Sequence, residues 1–365
     1  MDVSSEMIHA LLPVFMITSL GASAFTVGLL EGLAESTALL VKVFSGVLSD
    51  AIGRRKPLAL FGYGLGAATK PFFALATASS TIFAARLVDR IGKGVRGAPR
   101  DALVADLAPP EIRGAAFGLR QSLDTVGAFL GPLLAVALML ATGDDFRAVF
   151  WWAVIPAVLS VALLAFGIRD TPPSRAIRAN PLARDSLRRL GPACHRIVLL
   201  GAVFSLARFS EAFLVLRAQT TGVPLAFVPL VMVVMNVVYA SAAYPFGKWS
   251  DRMAARDLLA ASLVVLVVAD LVLAVADSPA ALAGGVVLWG LHMGMSQGLL
   301  ARMVADVAPP ELRGTAFGAF NFASGLALLV ASGLAGFLWE AHGPQATFIA
   351  GAGFAASTWL LLMRF

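Results

Sequence analysis

The sequence predicts an all-α membrane protein made of two six-helix halves, and three observations carry that expectation. Hydrophobic residues make up 59% of the 365 residues and charged residues 14%, with a mean hydropathy of +0.83, too apolar for an ordinary soluble domain. Apolar runs of about 20 residues, each long enough to cross ~30 Å of hydrocarbon, recur along the whole chain. The chain also repeats itself. Gly46-Val47-Leu48-Ser49-Asp50-Ala51-Ile52-Gly53-Arg54-Arg55-Lys56 is echoed by Gly247-Lys248-Trp249-Ser250-Asp251-Arg252-Met253 at an offset of 201, and Val104 to Gly114 returns as Val304 to Gly314 at an offset of 200. Solenoid repeats recur every ~20 to 50 residues, so a period this long marks duplicated half-molecules.

In order, helices are predicted over 3–20, 25–49, 57–77, 80–103, 113–141 and 147–167, then 197–217, 226–250, 257–276, 280–304, 313–338 and 345–363, with 169–196 as the linker between halves. Spans 2 and 8 each end in a Gly, then Ser-Asp, then cations, which is how a membrane helix turns at a charged face. Pro109-Pro110 and Pro309-Pro310 suit the first turns of spans 5 and 11, where a missing amide hydrogen costs nothing. Span 1 is unusual. Asp2, Ser4, Ser5, Glu6 and His9 crowd its start, and only Ala10 to Leu20 is convincingly apolar. Either this span is re-entrant or the chain begins late, and the second is expected. Without a basic leader or a small-residue cleavage site, the segment reads as a retained helix.

A net charge of +6 raises nucleic acid as a partner, but the cations lie in alternate loops. Arg54, Arg55 and Lys56 follow span 2; Arg96, Arg100 and Arg113 surround the loop after span 4. The linker carries Arg169, Arg175, Arg178, Arg184, Arg188, Arg189 and Arg196, and Arg252, Arg256, Arg302 and Arg313 continue the series. This alternation is the positive-inside pattern and places both termini and the linker in the cytoplasm. The single cysteine, Cys194, gives no disulfide and no metal-cluster spacing.

Gly46, Asp50, Gly53, Arg54, Arg55 and Lys56 resemble the signature of the major facilitator superfamily between its second and third helices, with Ala51 in place of a basic residue. The resemblance covers essentially the whole chain. It implies two six-helix bundles related by a pseudo-twofold axis along the membrane normal, around a cavity that opens alternately to each side, in a bacterial cytoplasmic membrane. It implies a monomer that moves a small-molecule solute, needs no cofactor and is not an enzyme. No nucleophile–base pair, ligand set or nucleotide loop suggests otherwise. It also implies that Asp50 meets the start of span 11, and by the repeat Asp251 the start of span 5, as latches at helix N-termini where a carboxylate gains ~0.3–1 kcal/mol, with Gly46, Gly53, Arg54, Arg55 and Arg252 in the same turns; the alternative is that Asp50 caps its own turn before Gly53. In bacterial members, a segment like Asp2 to Ile8 falls inside the first helix with apolar chain ahead of it.

Charges inside a membrane are costly, about 2.5–3.5 kcal/mol on insertion scales, and tend to face a cavity or a partner. Span 2 carries Glu31 and Glu35 one turn apart, with Lys42 two turns further on; counting ~1.5 Å per residue from Phe25 puts Glu35 roughly 15 Å deep, near the midplane. Span 4 carries Arg86, Asp89, Arg90 and Lys93 on one stripe. Arg120 and Asp124 on span 5, and Arg208 and Glu211 on span 7, serve either as structural pairs or in transport, and Asp270 stands alone in span 9. Glu31, Glu35 and Asp89 are the candidates for exchanging protons, because neighbouring carboxylates repel. Arg90, spaced from Gly94 as in the superfamily's span-4 motif, would modulate that site or bind an anionic solute, and Arg86 fits nearly as well.

Gly127-Ala128-Phe129-Leu130-Gly131-Pro132 places small residues four apart beside a proline, which permits close helix packing and a local bend. It resembles the superfamily's exporter motif, with Ala135 and Val136 where glycines are expected, and so points outward. Proton-coupled efflux of a small polar or charged organic solute is the function expected. The alternative is uptake of a metal ion such as copper, or of a metal complex, through Met232, Met235, His292 and Met295, with Met293 beside them; thioethers and imidazole suit soft ions, although the paired spacings are missing. Gly92-Lys93-Gly94 lacks the spacing of a phosphate loop.

Overall fold

The computed structural model describes the chain except residues 53–54, 108, 110–112, 169–189, 251–252, 297, 309–311 and 365. At 46–47, 49–52, 105–106, 113–118, 121–122, 250, 305 and 313–314 only the backbone is described. Among the described residues the elements are helices, joined by turns, with no strand: α1 (Asp2–His9), α2 (Leu12–Thr18), α3 (Ala24–Ile52), α4 (Arg55–Leu75), α5 (Ser79–Leu107), α6 (Arg113–Thr142), α7 (Phe146–Trp152), α8 (Val154–Gly167), α9 (Pro192–Ala207), α10 (Ala212–Thr220), α11 (Leu230–Ser250), α12 (Ala255–Val275), α13 (Pro279–Ser296), α14 (Leu299–Val307), α15 (Arg313–His342) and α16 (Pro344–Met363). Among these residues nine stretches are long and apolar enough to cross a membrane.

Several predicted spans are interrupted, each for a local reason. The first divides into α1 and α2, and Pro13, which has no amide hydrogen, falls in the first turn of α2. The seventh breaks between α9 and α10 at Arg208 to Glu211; there the Ser210 amide donates to the Ser332 hydroxyl at 3.2 Å, and the Ala212 amide to Ser210 Oγ at 3.2 Å. Side chains thus re-satisfy backbone groups that a membrane cannot. The tenth breaks at Gly298, whose φ of 73° favours glycine.

The chain packs into two compact units, Met1–Leu12 with Leu33–Asn180, and Pro13–Gly32 with Pro181–Phe365. In the first unit α4 and α5 cross closely. A Cβ on Gly62 would lie 2.7 Å from the Gly92 carbonyl oxygen, and one on Gly92 would lie 2.7 Å from that of Gly62. Two residues along, Gly94 meets α3, where a Cβ would lie 2.9 Å from the Ala38 carbonyl oxygen and 2.7 Å from Val41 Cβ. The Ser45 hydroxyl donates across the same crossing to the Gly94 carbonyl at 2.9 Å.

The second unit repeats this contact. Gly294 sits against Tyr239 and Ala242 of α11, with a Cβ there 3.0 Å from the Tyr239 oxygen and 2.6 Å from Ala242 Cβ. Gly94 and Gly294 are 200 residues apart, and Val41 and Ala242 are 201 apart, the offsets of the sequence repeat. The start of α3 belongs to this second unit and lies on α15, where Gly336 would place a Cβ 2.6 Å from the Ala24 oxygen.

Helix ends leave carbonyls without intrahelical donors, and cations satisfy several of them. Arg147 donates to the Ala74 and Ala76 carbonyls at the end of α4, at 2.8 and 2.7 Å. In the second unit Arg217 donates to Leu273 at 2.9 Å, Ala274 at 3.2 Å and Ala276 at 2.6 Å, at the end of α12. Lys56 Nζ donates to the Ala165 and Ile168 carbonyls at the end of α8, and Arg256, 200 positions later, donates to Met363 at the end of α16. A charged hydrogen bond contributes ~1.5–3 kcal/mol. Arg217→Ala is therefore expected to lower the apparent melting temperature in detergent by several degrees, with Arg217→Lys recovering part of the loss.

Candidate functional site

The charged groups of the first unit converge on α5. Arg86, Arg90, Lys93, Arg96 and Arg100 follow one another at spacings of four, three, three and four, with Asp89 next to Arg90, so they line one stripe of that helix. Lys70 Nζ of α4 pairs with Asp89 Oδ1 at 2.8 Å and donates to Ser5 Oγ of α1 at 3.1 Å; both charged side chains are buried. Arg90 Nη1 reaches Glu35 Oε1 of α3 at 3.1 Å. Arg96 stacks over the Tyr63 ring, 4.8 Å from its centroid, with Nη2 3.8 Å from Asp2 Oδ1.

Further along α5 four charges form one network. Arg100 Nη1 lies 3.4 Å and Arg120 Nη2 3.6 Å from the Asp124 carboxylate, and both guanidinium groups also contact Asp101. Within the unit these groups enclose a cavity of about 360 Å³, walled by four carboxylates, Asp2, Glu6, Glu35 and Asp124, and four cations, Lys42, Lys93, Arg96 and Arg100.

Two glycines decide that α1 forms part of this wall. A Cβ on Gly127 of α6 would lie 2.9 Å from Asp2 Cβ, and one on Gly131 would lie 2.7 Å from Glu6 Cβ and 2.8 Å from the Val3 oxygen. The helices touch backbone to backbone there, which carries Asp2 and Glu6 into the cavity wall. Pro132 lies within α6, which continues unbroken through it.

Of the residues singled out in the sequence, Glu35 and Asp124 line the cavity, while Asp89, Arg86 and Arg90 lie buried on α5. Glu31 is buried on the part of α3 that belongs to the second unit. There too, Arg208 caps the end of α9 over the Phe204 ring at 5.8 Å, and Glu211 is the N-cap residue of α10. Asp270 of α12 is fully buried, and neither carboxylate oxygen accepts a hydrogen bond from the described residues; its Oδ2 lies where a Gly351 Cβ would be 2.7 Å away. Met232, Met235, Met295 and His292 are buried, with His292 Nδ1 2.7 Å from the Ser262 carbonyl. No group of three or more His, Cys, Asp or Glu able to hold a metal occurs among the described residues.

The latch residues Gly53, Arg54, Asp251 and Arg252 lie outside the described residues, as does most of the linker; Gly46 and Asp50 are described only as helical backbone of α3, and Arg55 opens α4. Sequence reasoning passed over Lys70, a lone cation inside an apolar run. Its signal was available, since it stands 200 positions before Asp270, the lone charge of the equivalent span. Asp2 and Glu6 read as a crowded start, because only packing against Gly127 and Gly131 gives them a cavity to face.

Fold and cavity together define a polytopic membrane transporter. The chain belongs to the Major Facilitator Superfamily, whose profile matches residues 1–216 and 197–365. Members of that family are transporters and not enzymes. The chain is 31% identical over 371 residues to an uncharacterized MFS-type transporter of Methanocaldococcus jannaschii, covering 99% of this chain and 91% of that protein. It is 25% identical to the inner membrane transport protein YajR of Escherichia coli, covering 93% and 75% of the two chains, and 26% identical to the multidrug resistance protein MdtH of Photorhabdus laumondii, covering 91% and 82%. Among solved structures, the human organic anion transporter MFSD10 superposes with a TM-score of 0.71 at 18% identity, covering 99% of this chain and 96% of that one. A POT family transporter in complex with 5-aminolevulinic acid superposes with a TM-score of 0.83 at 13% identity, covering 100% and 93%. At such identities the structural likeness establishes the fold alone.

Removing one partner of a buried ion pair strands the other, at a cost of ~3–5 kcal/mol. Lys70→Met is expected to abolish stable expression or lower the melting temperature sharply. The double variant Lys70→Met with Asp89→Leu should regain most of that loss, as read by fluorescence-detected size exclusion during heating.

Proposed function

We propose that the protein exports a small polar or charged organic solute in exchange for protons, by alternating access between six-helix halves at 1–168 and 197–365 joined by a cytoplasmic linker at 169–196. The observation that carries this reading is Glu35, a carboxylate on a membrane-spanning helix that lines the cavity and is held by Arg90 at 3.1 Å. A proton taken up by Glu35 removes the negative charge that engages Arg90, and release of that proton restores it. Solute binding and proton binding then compete for the same guanidinium, which is a sufficient condition for exchange. Asp124, linked to both Arg100 and Arg120, is a second carboxylate of the same wall through which a proton passes.

Outward direction is supported by the Gly127 to Pro132 pattern and by the name of the multidrug resistance relative MdtH. Cytoplasmic placement of both termini and the linker is supported by the alternation of cations along the loops. The name of YajR supports the inner membrane as the location. The duplicated Ser-Asp turns at Asp50 and Asp251 serve as latches that break as the halves rock, and one chain suffices as the transporting unit.

Proteoliposomes with an imposed pH gradient test this reading against a panel of labelled solutes. Wild type is expected to show flux that rises with the gradient, whereas Glu35→Gln should retain solute exchange and lose its dependence on pH. Undiminished pH-driven flux in Glu35→Gln removes Glu35 from the coupling step.

A further inference from the structure

Asp270 takes no part in the exchange proposed for Glu35. It lies on α12, a helix long and apolar enough to cross a membrane; it is fully buried, and neither carboxylate oxygen has a hydrogen-bond partner among the described residues. Room for it is built in. A Cβ on Gly351 of α16 would lie 2.7 Å from Asp270 Oδ2 and 2.7 Å from Phe209 Cε1, so the carboxyl and the ring edge border the same point of that helix. The Phe209 ring in turn lies 5.3 Å from that of Trp289 on α13 and 5.6 Å from that of Phe348. Trp289 Nε1 is likewise buried without a hydrogen-bond partner among the described residues, so this core holds a donor and an acceptor that do not meet.

Among the described residues no cation pairs with this acid. Its helix packs on α13, α14 and α16, and α16 carries no Asp, Glu, Lys, Arg or His. The titratable group of α13 is His292, whose Nδ1 lies 2.7 Å from the carbonyl of Ser262, about two turns from Asp270 along α12. On α14, Arg302 and Asp306 are exposed and lie 3.8 Å apart, and on α12 itself Arg256 and Asp257 fall in the first turn. Arg208 and Glu211 flank Phe209, with Arg208 over the Phe204 ring at 5.8 Å and Glu211 at the N-cap of α10. Arg217 is engaged by the carbonyls of Leu273, Ala274 and Ala276.

An ionised Asp270 would be a buried charge beside aromatic rings, with neither a counter-ion nor a hydrogen bond, and proteins do not retain such a charge; in this arrangement the acid carries its proton. A role in stability alone fits poorly, since Lys70, 200 positions earlier, has Asp89 as its partner, whereas Trp289 stands where that partner would fall. Phe209 lies in the non-helical stretch 208–210 between α9 and α10, so its ring can swing aside without breaking a helical hydrogen-bond ladder. The Ser210 amide ties that stretch to Ser332 Oγ of α15 at 3.2 Å. We infer that Asp270 is a second proton-binding site of the transporter, which holds its proton beneath Phe209 and passes it to water when the 208–210 stretch withdraws, the O–H bond breaking and the carboxylate remaining. This rests on the proton exchange proposed above and adds to it a site in the second unit.

Infrared difference spectroscopy of the purified full chain in lipid, wild type minus Asp270→Asn, tests the site without any solute. At neutral pH the wild type is expected to show the carbonyl stretch of a protonated carboxyl group that the variant lacks, and transfer to heavy water should shift that band as the proton exchanges. Phe209→Ala, which removes the cover and leaves the acid, should speed the shift at least several-fold. Should Asp270→Asn fail to fold, the band and its faster shift in Phe209→Ala carry the test. Absence of the band, a band that heavy water never shifts, or an unchanged exchange rate in Phe209→Ala each overturns the inference. In proteoliposomes with the same labelled solutes, Asp270→Asn should lose pH-driven flux and keep solute exchange at equal pH, and full pH-driven flux in that variant also overturns it. Loss of pH dependence in Asp270→Asn but not in Glu35→Gln would instead sink the Glu35 coupling step and leave Asp270 standing.

Discussion

A charge inside hydrocarbon needs a partner of opposite sign, a helix end or a ligand, and the interior of this protein is organised by that requirement. The first unit meets it with pairs: Lys70 with Asp89, Arg90 with Glu35, and the ring of Arg100, Asp101, Arg120 and Asp124. Both units also meet it with helix ends, where Arg147, Lys56, Arg217 and Arg256 lie on terminal carbonyls. Each such cation is matched by a backbone dipole instead of a carboxylate, so it adds rigidity without adding an ionisable acid to the membrane interior.

Close packing by small residues is what lets those partners meet. Arg90 reaches Glu35 because α5 and α3 touch at Gly94, and Asp2 reaches Arg96 because α1 lies directly on Gly127 and Gly131. Interhelical contacts in lipid gain little from hydrophobic burial, so van der Waals contact at such crossings and polar links across them carry the association. Gly127 and Gly131 of α6 thereby acquire a concrete role. They bring the acidic face of α1 to the cavity.

The two units share a scaffold and differ in charge. Gly94 and Gly294 make equivalent crossings, and Lys56 and Arg256 make equivalent caps. Yet Lys70 and Asp89 have as their counterparts Asp270 and Trp289; a Cβ on Gly351 would lie 2.7 Å from both Asp270 Oδ2 and Phe209 Cε1, and the Phe209 ring lies 5.3 Å from that of Trp289 and 5.6 Å from that of Phe348. Duplication preserved the backbone contacts, which depend on residue size, and left charge free to diverge. The first unit became rich in paired carboxylates and cations, whereas in the second Asp270 is buried with no hydrogen bond to either carboxylate oxygen from the described residues.

The sequence by itself determined the all-α membrane class, the duplication with its offsets of 200 and 201, and the family, because hydropathy, repeat and signature are local properties of the chain. It also singled out Glu35, Lys42, Lys93 and Asp124, four of the eight charges that line the cavity, since an ionised residue within an apolar run stands out wherever it falls. Tertiary structure alone decided which of those charges are already matched. Lys70 with Asp89 and Arg90 with Glu35 depend on where separate helices cross, and those crossings are set by glycines whose effect on a distant segment has no signature in the residues between.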